Sequence, residues 1–113
     1  MAETIRMTCS TRLFDLFELK DRLCTMNAEL VGKEYREYSH EEVLVLVFEK
    51  YYMRSSGYGS LTVMLEDDGE EQRAVLIASG GGQGIMNISY GANRKFAESA
   101  AEILQECDFM EIA

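Results

Sequence analysis

Apolar and polar positions change period several times along the chain, and each change marks an element. In ETIRMTCS, Ile5, Met7 and Cys9 alternate with Arg6 and Thr8, a period of two that predicts a strand with one buried face. STRLFDLFELKDRLCTMNAEL carries Leu13, Leu16, Phe17, Leu23 and Cys24 at helical spacing. Ser10 or Thr11 can cap this amphipathic helix, and Gly32 is expected to mark its end or the loop beyond it. KEYREYSHEEVLVLVFEKYYMR carries conflicting signals. Ser39 and Glu42 have the spacing of a capping box. Val43, Val45 and Val47, with Phe48, Tyr51 and Tyr52, favour a pleated surface. Residues 43–48 are apolar on both faces, which predicts a central strand covered on two sides.

SSGYGS is expected to turn the chain into SLTVMLE, where Leu61, Val63 and Leu65 share a face. Asp68-Gly69 then joins this run to QRAVLIAS as a hairpin, because such a turn needs positive φ. Met86, Ile88 and Tyr90 alternate with Asn87 and Ser89, predicting a further strand. Asn93 suits the N-cap of a last helix with Phe96, Ala97, Ala100, Ile103, Leu104 and Cys107, and DFMEIA can add a short strand. Residues 1–113 therefore read as a single α+β domain. Its antiparallel meander, in the order β-α-β-β-β-β-α, carries the helices on one face.

Charge narrows the partners. A net charge of −9 opposes both the nucleic-acid backbone and anionic membranes, so neither is expected. No apolar run approaches the roughly 20 residues of a bilayer span, and MAETIRMTCS has no secretory-signal core, so cytoplasm is the expectation. Cys9, Cys24 and Cys107 are expected to be reduced, buried, apolar side chains. With one histidine they offer no zinc set, and no cofactor is implied.

Five features invite chemistry. Gly80, Gly81, Gly82 and Gly84 match neither a Walker loop nor G-x-G-x-x-G, and read as a hairpin or bulge. Gly57-Tyr58-Gly59 resembles the core of an RNA-recognition strand but lacks its stacking aromatics and basic residue. EDDGEE is too compressed for a calcium loop, and His40 reads as an exposed loop residue without a defined orienting partner. Arg94 and Lys95 are more informative. After an Asn93 cap they would lie in the first helical turn, where cations oppose the helix dipole.

Two functions compete. The first is a non-catalytic interaction domain, binding another protein or itself as a homodimer, because tyrosine and methionine are plentiful and no catalytic constellation is evident. The second is a small-ligand binder or enzyme, taking an anionic or apolar metabolite between the last helix and the sheet. Arg54, Tyr58, Gly82, Gln83, Asn87, Tyr90, Arg94 and Lys95 are its candidate contacts. The run of SGGGQG, NISYGANRKF and an alanine-bearing helix resembles a family of small uncharacterised bacterial proteins, a domain of unknown function, over most of the chain. That resemblance implies no activity and no catalytic residues. The sheet and last helix also loosely resemble a helix-grip fold, for which this chain is short.

Overall fold

The computed structural model describes residues 2–53, 57–80 and 88–112. Its elements are β1 (Glu3–Cys9), α1 (Leu16–Leu23), β2 (Glu29–Glu37), β3 (Glu42–Tyr52), β4 (Gly57–Asp67), β5 (Gln72–Gly80), α2 (Ile88–Glu106) and β6 (Met110–Ile112). One antiparallel sheet has the order β2-β3-β4-β5-β1-β6. The chain is thus α+β with the expected meander and a short terminal strand.

Strand alternation creates the two faces. Met7, Ala74, Leu65 and Leu44 lie side by side across the sheet, as do Ile5, Leu76, Val63 and Leu46. Both rows face the helices, and apart from half-buried Ile5 every one of these side chains is buried. From α2, Phe96, Ala97, Ala100, Ala101 and Leu104 close the same core. Ala97, Ala100 and Ala101 of α2 share that core with Ala74 and Ala78 of β5, and small side chains permit close packing. Each large apolar side chain so enclosed stabilises by about 1.5–3 kcal/mol.

The first helix begins later than Ser10 or Thr11. Asp15 is its N-cap, accepting from the Glu18 N–H, while the Glu18 carboxylate accepts from the Asp15 N–H. This reciprocal box starts α1 at Leu16 and buries Leu16, Leu19 and Leu23. Leu13, Phe17 and Cys24 stay exposed, so the expected stripe and the expected burial of Cys24 are both corrected. Cys9 and Cys107 are buried as expected. At eight residues α1 is too short to persist alone and depends on its core contacts.

Gly32 ends no helix. It lies in β2 beside a bulge between Leu30 and Gly32. Ser39 and His40 form the exposed β2–β3 connection, where the Tyr38 N–H donates to the Glu41 carbonyl at 2.7 Å. The capping-box spacing at Ser39 therefore starts no helix. The Asp68-Gly69 hairpin forms as expected: Gly69 has φ +91°, and the Asp68 carboxylate accepts the Glu70 and Glu71 N–H groups.

Helix α2 starts at Ile88, so Asn93 is an internal residue and Ile88–Tyr90 are helical rather than extended. Arg94 and Lys95 consequently lie beyond the first turn, where the helix-dipole conflict is weak. At the other end, the Phe109 N–H donates to the Leu104 carbonyl and the Asp108 N–H to the Gln105 carbonyl. With Asp108 at φ +74°, this is a Schellman closure. Met86, Asn87, Gly81, Gly82 and Gly84 lie outside the described residues.

Candidate functional site

Both helices cover one face of the sheet, and the opposite face has no covering layer among the described residues. Its rows follow from the register: Val45, Met64, Val75 and Arg6 in one, Val47, Thr62, Ile77 and Thr4 in the next. Val43 extends the patch along β3. An uncovered antiparallel face ordinarily alternates to polar residues, yet these outward positions on β3 are three valines. Their side chains and Met64 and Val75 are half-buried by neighbours in the sheet, and Ile77 is 39% exposed. β3 is therefore apolar on both faces but covered on one, which corrects the expectation of a strand enclosed on both sides.

Polar groups frame the patch. At one end Arg73 reaches Glu71 at 2.9 Å, Asp68 at 3.3 Å, Glu41 at 3.5 Å and Glu66 at 3.6 Å. The Glu71 hydrogen bond is the largest contribution raising the Arg73 pKa, so this cation is held firmly. At the other end Tyr51 and Tyr58 face each other across β3 and β4, with ring centroids 5.1 Å apart. Both rings are largely exposed. Arg6, Arg36 and Arg73 stand on this face with Glu29, Glu34, Glu49 and Glu66, and Glu41, Asp68 and Glu71 gather around Arg73 at the hairpin end, so acids outnumber cations. The apolar patch is thus framed by a net acidic rim, in keeping with the chain's charge of −9.

The expected ligand contacts are not all brought together. Tyr58 lies on the open face, whereas Arg94 lies on α2 across the sheet; one pocket cannot take both from the helix side. Lys95 is exposed, and its carbonyl accepts the Ser99 hydroxyl. Arg54, Gly82, Gln83 and Asn87 lie outside the described residues, as does the Tyr90 side chain. Arg94 borders a groove of about 360 Å³ between α2 and β1. It pairs there with Glu98 at 3.2 Å and Glu3 at 3.6 Å. Glu102 and Glu111 also line the groove, so carboxylates surround the one guanidinium and an anion is poorly matched.

A polar clasp that the sequence reading missed closes the hairpin end of the sheet. Arg12, in left-handed conformation at φ 49°, donates through Nε and Nη2 to the two Asp67 oxygens at 3.0 and 3.2 Å. The Gly69 N–H and Gln72 Nε2 donate to the same carboxylate, and Gln72 Nε2 also donates to the Phe14 carbonyl. Burial pushes the Asp67 carboxyl up, but these hydrogen bonds outweigh it and hold the group below the usual carboxylate range. The carboxylate is saturated, so its role is to tie the β1–α1 loop to the β4–β5 hairpin.

Comparison with known proteins adds a family. The group described as Family of unknown function (DUF6054) matches residues 16–108. No curated protein matches the chain. Among solved structures, the 18 kDa protein CC1736 from Caulobacter crescentus is 9% identical with TM-score 0.38, over 95% of this chain and 92% of its own. TTHA0849 from Thermus thermophilus is 14% identical with TM-score 0.30, over 93% and 92%. No helix among the described residues is long and apolar enough to cross a membrane.

Proposed function

This chain belongs to the family of unknown function DUF6054, and we propose that it is a non-catalytic binding domain whose open sheet face receives an apolar protein surface. The observation that carries this reading is β3: Val43, Val45 and Val47 project from the sheet on the side that no helix among the described residues covers. Five strands of seven to eleven residues and the three-residue β6, about 4.8 Å apart, give a footprint of roughly 700 Å². That approaches the roughly 800 Å² each partner contributes to a standard interface. The exposed Tyr51–Tyr58 pair supplies anchors of the kind that dominate interfaces.

A photocrosslinking side chain at Met64 tests the reading. It gives adducts of discrete mass in cells, lost when Val47 and Ile77 are both replaced by glutamate, while the same group at Glu106 on α2 gives none. Equal adducts from both positions, or adducts indifferent to the glutamates, contradict it. The alternative, a small-ligand site between the last helix and the sheet, is supported by the groove beside Arg94. Its carboxylate lining favours a cationic ligand over the anionic one expected from Arg94 and Lys95.

A further inference from the structure

The outer edge of β2 is the second unusual surface. It is a sheet margin with unpaired backbone groups, the kind of margin that proteins ordinarily blunt. The opposite margin, β6, is three residues long, whereas β2 has nine. The Leu30/Gly32 bulge disturbs only the start of β2, leaving Lys33-Glu34-Tyr35-Arg36-Glu37 regularly paired with β3.

The connection to β3 determines which backbone groups point outward. The Tyr38 N–H bonds to the Glu41 carbonyl, so residues 38 and 41 form a hydrogen-bonded pair. Antiparallel pairs alternate between hydrogen-bonded and non-hydrogen-bonded. Arg36 with Val43 and Glu34 with Val45 therefore bond inward. Lys33, Tyr35 and Glu37 direct their N–H and carbonyl groups away from the sheet.

The side chains of this segment are self-complementary about Tyr35. When two copies run antiparallel with Tyr35 opposite Tyr35, Lys33 faces Glu37 and Glu34 faces Arg36. Every charge then meets its opposite on its own side of the sheet. The outward groups of Lys33, Tyr35 and Glu37 fall in the same register and form about six hydrogen bonds across the dyad. Within one chain Arg36 already contacts Glu34 along the strand, so pairing two copies makes an alternating four-charge cluster. The segment carries no net charge, so the −9 charge of each copy is not concentrated at this seam.

We propose that a second copy of this chain docks on β2, joining the two six-stranded sheets into one twofold-symmetric twelve-stranded sheet. This association uses the sheet edge rather than the open face, so it stands independently of the binding reading. It leaves the open face of each copy accessible and sets the two faces side by side.

Sedimentation equilibrium of the full chain tests it, with charge reversal as the probe. The wild type sediments at twice the 12.8 kDa chain mass. Arg36→Glu or Glu34→Arg alone opposes like charges twice across the dyad and weakens the dimer by at least about tenfold. The double variant Glu34→Arg/Arg36→Glu restores it. Lys33→Pro removes an outward N–H, leaves the bonds to β3 intact and also gives monomer, with circular dichroism confirming the fold. A wild type that stays monomeric up to about 1 mM overturns the proposal. So does a dimer indifferent to the charge reversals, or one lost only in Val45→Glu, which would place the contact on the open face.

Discussion

Val45 and Val63 allow one substitution to be made on the two faces of adjacent central strands. Val63 on β4 is fully enclosed beneath the helices, whereas Val45 on β3 is half-buried on the uncovered side. Threonine keeps the branched shape and strand preference of valine, so backbone propensity changes little in either case. At Val63 the change removes a buried methyl, worth about 0.8 kcal/mol, and buries a hydroxyl among apolar neighbours at about 1–3 kcal/mol. Val63→Thr should cost about 2–4 kcal/mol, lowering Tm by about 10–15 °C for a domain of this size. At Val45 water reaches the new hydroxyl, and the cost should stay within about 0.5 kcal/mol. Urea unfolding of the purified protein at low micromolar concentration reads both values, with an unchanged m-value confirming comparable denatured states. Equal losses at the two positions would refute the account of a sheet covered on one side.

Three further perturbations probe the elements that support this surface. Asp15→Ala removes the α1 cap and should cost about 1 kcal/mol in the same unfolding assay; no loss would show that core contacts alone hold α1. A Cβ on Gly59 would lie 2.6 Å from Tyr52 Cε2, so Gly59→Ala should destabilise by about 1–2 kcal/mol in the wild type but not with Tyr52→Ala, and equal effects in both backgrounds would contradict the contact. Because the Asp67 pKa is lowered on folding, its stabilisation is present above the unfolded value of about 3.9 and lost as pH falls through the folded value. Unfolding measured below about pH 4 should therefore show a shallower loss in Asp67→Asn than in the wild type, and parallel curves would contradict the clasp.

Much of the fold was legible because local rules and tertiary environment agree. β1, β4 and β5 show clean alternation, and Asp68-Gly69 supplies the turn that their pairing needs. β2 was not legible: of its regular segment only Tyr35 is partly buried, packing on Phe17 at 4.9 Å and donating to Glu42. A charged edge strand carries little hydrophobic period, and KEYREY reads as readily as solvated helix or loop. The start of α1 was misplaced because Leu13 continues the apolar spacing, although Asp15 and Glu18 carried the decisive capping box. The clasp was invisible for another reason: Arg12 and Asp67 are 55 residues apart, and only the sheet register brings them together. The valines of β3 were the signal for the apolar surface on the open face. They indicate two apolar faces, and their spacing says nothing of whether a second layer belongs to the same chain.

Solvent access to the open face in its native setting tests the central claim most directly. In a Cys24→Ser background, which removes the exposed native thiol, a cysteine replaces Ile77 on the open face or Glu106 on α2. Maleimide labelling rates are then compared between intact cells and purified protein. Binding at the open face predicts that Ile77→Cys reacts at least about tenfold more slowly in cells while Glu106→Cys reacts equally in both. An Ile77→Cys rate unchanged in cells would contradict the account.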